Sequence, residues 1–212
     1  MGSTKKLGLL FAAALAMVFI APAAAQAAAA DSPPPATASD SSNVNSLIAS
    51  DPNAEFVSLE VAEKQYGFDP YAADATESTG PVVTPFYAWW GCDWDAVTDY
   101  PHVSSGQASV HGYWVYNSGD CPATATVTVN LQALWCSGMW GCSWYTLATD
   151  VATGVYPGSG TGHWATPHSP CATTSVVGWR GSVFVEPTDF WHPYGWTDGT
   201  PQNLSCSPPD PS

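Results

Sequence analysis

Residues Thr124–Cys136 read TATVTVNLQALWC. Val127, Val129, Leu131, Ala133 and Trp135 fall on one side of an extended chain, and Thr126, Thr128, Asn130 and Gln132 on the other. Side chains alternate faces along a strand, so this pattern marks an antiparallel strand with one face in a core and the other toward water. On either side of it, Ala108–Tyr116, Ser143–Thr149 and Thr173–Glu186 are also rich in Val, Thr, Tyr and Trp, the residues that favour a pleated surface. Turn clusters separate them, NSGDCP at 117–122 and YPGSGTG at 156–162,. Nothing in residues 84–212 sustains an apolar stripe of helical period,. The expectation is an all-β, disulfide-bonded antiparallel β-sandwich over 84–212, preceded by an extended N-terminal segment.

Charge removes several classes of partner. The chain has 18 acidic and 4 basic residues, and two of the cations, Lys5 and Lys6, precede the uncharged apolar run Leu7–Ile20. That run, followed by the small-residue exit Ala25-Gln26-Ala27, fits a secretory signal peptide over residues 1–27 and is shorter than the ~20 apolar residues a bilayer span needs. Once it is cleaved, Lys64 and Arg180 are the only basic groups set against the 18 acidic ones. Such a surface cannot displace counterions from phosphate, so neither nucleic acid nor membrane is an expected partner.

Composition divides the exported chain. Residues 28–83 hold no Cys and no Trp, whereas 84–212 hold all 6 Cys and all 11 Trp. Residues 28–43 are mostly Ala, Ser, Pro and Asp and read as a disordered linker,. Residues 44–68 differ in carrying Leu47, Ile48, Phe56, Val57, Leu59, Val61, Tyr66 and Phe68. The alternation of Val57, Leu59 and Val61 suits a strand. Ser58 as a cap, Glu60 and Lys64 four apart and Gly67 as a stop suit a short helix equally well,. These apolar groups need cover, and a partner molecule is expected to supply it. The alternative is that the segment folds back on its own sandwich as an extra edge strand.

An even number of Cys in an exported chain reads as a disulfide framework. Cys136 and Cys142 bracket SGMWG, short enough for the tip of a hairpin, and are expected to pair. Cys121 with Cys171 would tie neighbouring strands, and Cys92 with Cys206 would clamp the ends of the domain. His163, His168 and Cys171 also lie close in sequence, but a disulfide for Cys171 outweighs a zinc site there. Neither a metal nor another cofactor is expected.

Chemistry-bearing motifs are absent. There is no G-x-S-x-G elbow, no H-E-x-x-H and no phosphate-cradling loop, and Glu186 is the single Glu of residues 84–212. The chain is therefore expected not to be an enzyme. Asp93, Asp95 and Asp99 in CDWDAVTD read as a solvated loop beside Cys92, with calcium as the alternative. Arg180, the one cation of residues 84–212, is expected to hold an ion pair with a nearby Asp rather than a ligand. Trp89, Trp90, Trp94, Trp140, Trp164, Trp191 and Trp196 lie in apparent turns or at element ends. Some should be exposed, and exposed aromatic patches mark binding surfaces. Trp89, Trp90 and Trp140 join residues 44–68 as the candidate partner-binding set.

These features point to a secreted, non-catalytic binding protein whose partners are other exported proteins. Low charge with abundant Trp, Thr and Asn also resembles the secreted cellulose- and chitin-binding modules of actinobacteria, which makes carbohydrate binding the alternative. A protease inhibitor with SGMWG as its reactive loop is a third reading. The layout of a signal at 1–27, an extension at 28–83 and a bridged, Trp-rich body from Cys92 to Cys206 resembles the small adaptor subunits of the umbrella toxin particles of Streptomyces. That resemblance covers the chain in outline and transfers no site residue. It implies a non-catalytic role in antagonism between bacteria, with the N-terminal segment inserted in a lectin-bearing subunit and the body docked on a larger toxin-bearing protein.

Overall fold

The computed structural model describes residues 53–71, 91–189 and 195–210, together with the backbone of 83–85. Leu47, Ile48, Trp89, Trp90 and Trp191 lie outside the described residues. The elements in chain order are β1 (Glu55–Phe56), α1 (Leu59–Tyr66), β2 (Val83–Pro85), β3 (Cys92–Thr98), β4 (His102–Ser104), β5 (Gln107–Ser109) and β6 (Gly112–Gly119). They continue with β7 (Ala125–Ser137), β8 (Gly141–Val155), β9 (His168–Pro170), β10 (Thr173–Pro187), β11 (Thr197–Asp198) and β12 (Gln202–Ser207). The fold is all-β and every pairing is antiparallel.

The principal sheet is built on β7, with β8 along one edge and β10 along the other, and β10 in turn carries β11 and β12. Two three-stranded sheets, β2-β3-β6 and β4-β5-β9, pack against it. Val127, Val129, Leu131 and Ala133 of β7 are fully buried between the layers, as their alternation requires. Opposite them lie Trp94, Val110 and Trp114. Buried indoles need a partner for the ring N–H. Trp114 donates to the Val155 carbonyl (3.1 Å) and Trp179 to that of Cys206 (2.8 Å). The layers approach closely at Gly112, where a Cβ would stand 2.2 Å from a methyl of Val129.

Two sequence expectations change here. Residues 92–98 form a strand and not a loop: Cys92, Trp94 and Ala96 point into the core and Asp93 and Asp95 outward. Strand register also re-pairs four cysteines. Because Cys92 faces Gly119 across β3 and β6, Cys121 lies beside it and takes it (Cα–Cα 4.7 Å). Because Thr173 faces Ser207, Cys171 takes Cys206 (Cα–Cα 4.8 Å). The expected pairs Cys121–Cys171 and Cys92–Cys206 do not form. Cys136 and Cys142 face one another and are bonded as expected. No cysteine is free, as an oxidising exterior favours.

The third change concerns the apolar stretch before the body. Beyond the Trp179–Ala133 pair, β10 no longer matches β7, and residues 55–57 enter the gap. Glu55 and Phe56 pair with Cys136 and Trp135. The Val57 N–H donates to the Leu134 carbonyl (3.0 Å), and the Val57 carbonyl accepts from the Gly178 N–H (2.9 Å). Ser58 then caps α1, accepting from the Val61 N–H, and Gly67 ends it in the left-handed conformation (φ 65°), so the helical reading of 59–66 holds. Leu59 lies over Gly178, where a Cβ would come within 2.7 Å of its side chain. Val57, Leu59 and Ala62 are buried with Leu134 and Cys136, and Val61, Tyr66 and Phe68 pack around them. Phe56 meets Tyr145 edge-on at 6.1 Å. Val57 and Leu59, expected to face a partner, are thus buried against their own chain, and Phe56, Val61, Tyr66 and Phe68 are half-buried beside them.

A polar clamp adds to this seat. The Asn203 amide donates to both carboxylate oxygens of Glu60 (2.9 and 2.7 Å), and its carbonyl accepts from the Leu59 N–H (2.9 Å). Hydrogen bonds from the Glu60 backbone N–H, then from Asn203 and Ser58, lower the Glu60 pKa below its ordinary value.

Leu59→Ala, which opens a cavity on Gly178, should cost roughly 2–4 kcal/mol in chemical denaturation; no change would mean that the segment is not docked in solution. A lowered folded pKa stabilises fully above the unfolded value and is lost as pH falls through the folded one. The difference in Tm between wild type and Glu60→Gln should therefore shrink as pH drops below the ordinary Glu range. A difference constant with pH would remove the clamp from the account.

Candidate functional site

The antiparallel pair β7–β8 runs to a tip made of Ser137, Gly138, Met139, Trp140 and Gly141, with the Cys136–Cys142 bond directly beneath it. Ser137 is buried, and its hydroxyl accepts from the backbone N–H groups of Met139 (3.1 Å) and Trp140 (3.3 Å). A hydroxyl that bonds backbone two and three residues ahead fixes a tight turn, and Gly141 supplies the positive φ (75°) that brings the chain into β8,. With the backbone held this way, the two large side chains point out: Met139 is 73% exposed and Trp140 57%. Beneath them α1 packs on Leu134, Cys136, Cys142 and Trp144. The N-terminal segment therefore buttresses the base of the hairpin.

The outward face of the principal sheet holds a second cluster. Arg180 lies at its centre: one guanidinium nitrogen pairs with Asp198 (2.8 Å), Nε donates to Gln132 (2.8 Å), and the plane stacks on Trp144 (4.8 Å to the ring centroid). The ion pair expected from the sequence is this one. Gln132 continues to Thr146 (3.0 Å), and Thr149 donates to Asn130 (2.6 Å). Further along β10, Phe184 meets Trp196 at 5.5 Å, and Trp196 is 48% exposed. The face thus combines a polar ladder with one open indole.

The other candidate residues separate. Asp93 and Asp95 project from β3, and Asp95 accepts from Asn117 (2.9 Å). Asp99 lies past the end of that strand and is bonded to His111. Six residues of extended chain span ~20 Å, so Asp93 and Asp99 cannot share a calcium ion. His163 turns to the Pro157 carbonyl, His168 is exposed on β9 and Cys171 is in a disulfide, so no metal site forms from them. Trp94 is buried and Trp164 half-buried. Of the candidate partner-binding residues described, Trp140 alone keeps an open side chain.

The fold assembles one further group. Asp99, His102 and His111 come together where β3, β4 and β6 meet. Their only sequence signal is an Asp and a His three apart with a second His nine further on, a spacing that matches no common ligand pattern.

No family model, curated protein or solved structure matches this chain.

Removing Arg180 leaves Asp198 and Gln132 without their donor and uncovers Trp144. Arg180→Ala should lower stability by roughly 1–3 kcal/mol in urea unfolding. Arg180→Lys should recover only part of that, since an ammonium cannot fork across both partners. An unchanged midpoint for Arg180→Ala would remove it from the structural framework.

Proposed function

We propose that this is a secreted, non-catalytic binding protein that grips another exported protein through the Met139–Trp140 tip. The observation that carries this reading is the pairing of large apolar exposure (73% and 57%) with a backbone held on both sides by a disulfide and a buried hydroxyl. Exposed apolar side chains on a rigid turn suit binding, because little ordering entropy is lost on docking. Indoles in particular anchor interfaces by filling a pocket on the partner. Burying two such side chains is worth ~1.5–3 kcal/mol each before other contacts are counted.

The apolar run and small-residue exit at 1–27 support export, as do the six bonded cysteines,. Among the described residues no helix is long and apolar enough to cross a membrane. An adaptor role, as in a toxin particle, needs a second contact beyond the tip. Residues 55–57 bond into their own sheet and Leu59 is buried on it, which leaves the half-buried flank of the helix and, from the sequence, Leu47, Ile48, Trp89 and Trp90 as candidates for that contact. One observation favours a carbohydrate instead: Trp196, tilted against Phe184, is open on the principal sheet that also carries the hydrogen-bonded residues Asn130, Gln132, Thr146 and Thr149. Aromatic faces flanked by amides and hydroxyls suit sugar rings.

The two readings separate in one experiment on tagged protein recovered from culture medium. Trp140→Ala should abolish stoichiometric protein capture, about a hundredfold loss or more for a hot-spot indole, with unchanged Tm. Trp196→Ala should leave capture intact. Retention on insoluble polysaccharide that Trp196→Ala destroys and Trp140→Ala spares would replace the protein-binding reading with the carbohydrate one.

A further inference from the structure

Asp99 follows β3, His102 opens β4, and His111 lies in the link from β5 to β6. One carboxylate oxygen and one nitrogen from each imidazole lie within 4.8 Å of one another, and all three side chains are half-buried. Strand pairing brings them together: Asp99 and His111 exchange backbone contacts at the open end of the β3–β6 pair, the Asp99 N–H donating to the His111 carbonyl (3.0 Å) and the His111 N–H to Asp99 Oδ1 (2.7 Å). His102 faces Ser109 across β4 and β5. That places the two imidazoles against each other at 5.2 Å with a 27° tilt.

We infer that Asp99, His102 and His111 form a binding site for a divalent transition-metal ion of the zinc class. The donor set decides the ion. Two imidazole nitrogens and one carboxylate oxygen suit Zn²⁺ and its neighbours, whereas Ca²⁺ and Mg²⁺ require shells of oxygen. Ligands ~2.0–2.2 Å from a tetrahedral zinc ion stand about 3.4 Å apart, so the hydrogen bond between Asp99 Oδ2 and His111 Nδ1 has to open to admit the ion and His102 has to turn toward it. Supporting contacts of the kind that orient ligating imidazoles are already in place. The Tyr100 carbonyl, 3.2 Å from His102 Nδ1, orients that ring, while Nε2, 3.1 Å from the Ser109 hydroxyl, has to exchange that contact for the ion, and Trp164 packs on His111 at 4.3 Å between centroids. Three protein ligands leave one coordination position for water or for a group from outside. The site draws on no residue of the hairpin tip, so it stands or falls apart from the proposed function.

The competing account is a structural clasp in which Asp99 and His111 fasten the strand ends. Titration of the chelator-treated, full-length secreted protein distinguishes the two. Zn²⁺ should bind at about one equivalent with micromolar or tighter affinity and raise Tm. Co²⁺ should give the visible absorption of a four- or five-coordinate ion, and Ca²⁺ should do neither. His102→Gln, which keeps a polar side chain beside Ser109 and leaves the Asp99–His111 pair untouched, should weaken zinc at least tenfold with metal-free Tm preserved. His111→Ala should abolish the cobalt spectrum, and His168→Ala on β9 should change nothing. Absence of zinc binding at about 100 µM would overturn the site, as would affinity that survives both His102→Gln and His111→Ala.

Discussion

Beyond the Trp179–Ala133 pair, β7 and β10 would present backbone donors and acceptors to each other with nothing between them. Val57 fills that gap, donating to Leu134 and accepting from Gly178. A buried backbone group without a partner costs ~1–3 kcal/mol, so the single residue after β1, which supplies two such bonds, matters more than its size suggests. Gly178 contributes a second way: its missing side chain is the recess in which Leu59 sits. One strand position therefore seats both β1 and α1, and Asn203 on the neighbouring strand holds the first turn of the helix.

That seat changes what the N-terminal segment is for. A free arm would pay to order itself on a partner. A docked one has met that cost in folding, and its helix stiffens the end of the β7–β8 pair from below. The disulfide across Cys136 and Cys142 and the Ser137 hydroxyl do the same from within. What faces outward at that end is a Met and a Trp on a turn with little freedom left, in a chain whose net charge is strongly negative. Long-range repulsion keeps such a surface from sticking to acidic polymers.

Several of these features were legible in the sequence. The alternation in 124–136 gave the central strand and its buried face, and SGMWG between two Cys gave the tip and its bond. Other features depend on register, which a single strand does not reveal. Cys92 and Cys121 meet because β3 and β6 align at Gly119, and Cys171 meets Cys206 by the offset of β10 and β12. Alternation in 92–98 lasts only from Cys92 to Ala96 before Val97 and Thr98 are both buried, too short a run to outweigh its two outward acidic residues. Residues 59–66 are too few for period alone to separate helix from strand, and the outcome was decided by Ser58 and Gly67 at the ends. The destination of Leu59 was hidden for another reason: it depends on the absence of a side chain more than a hundred positions away. Asp99, His102 and His111 were missed because three strands, not one motif, bring them together.

Amide hydrogen exchange on the full-length protein tests the seat most directly. Protection of the Val57 and Gly178 amides at the level of core β7 amides is the predicted result, since both are bonded within the sheet. Exchange of both at the rate of unstructured chain, with the β7 amides still protected, would contradict it and return residues 55–68 to the role of an arm awaiting a partner.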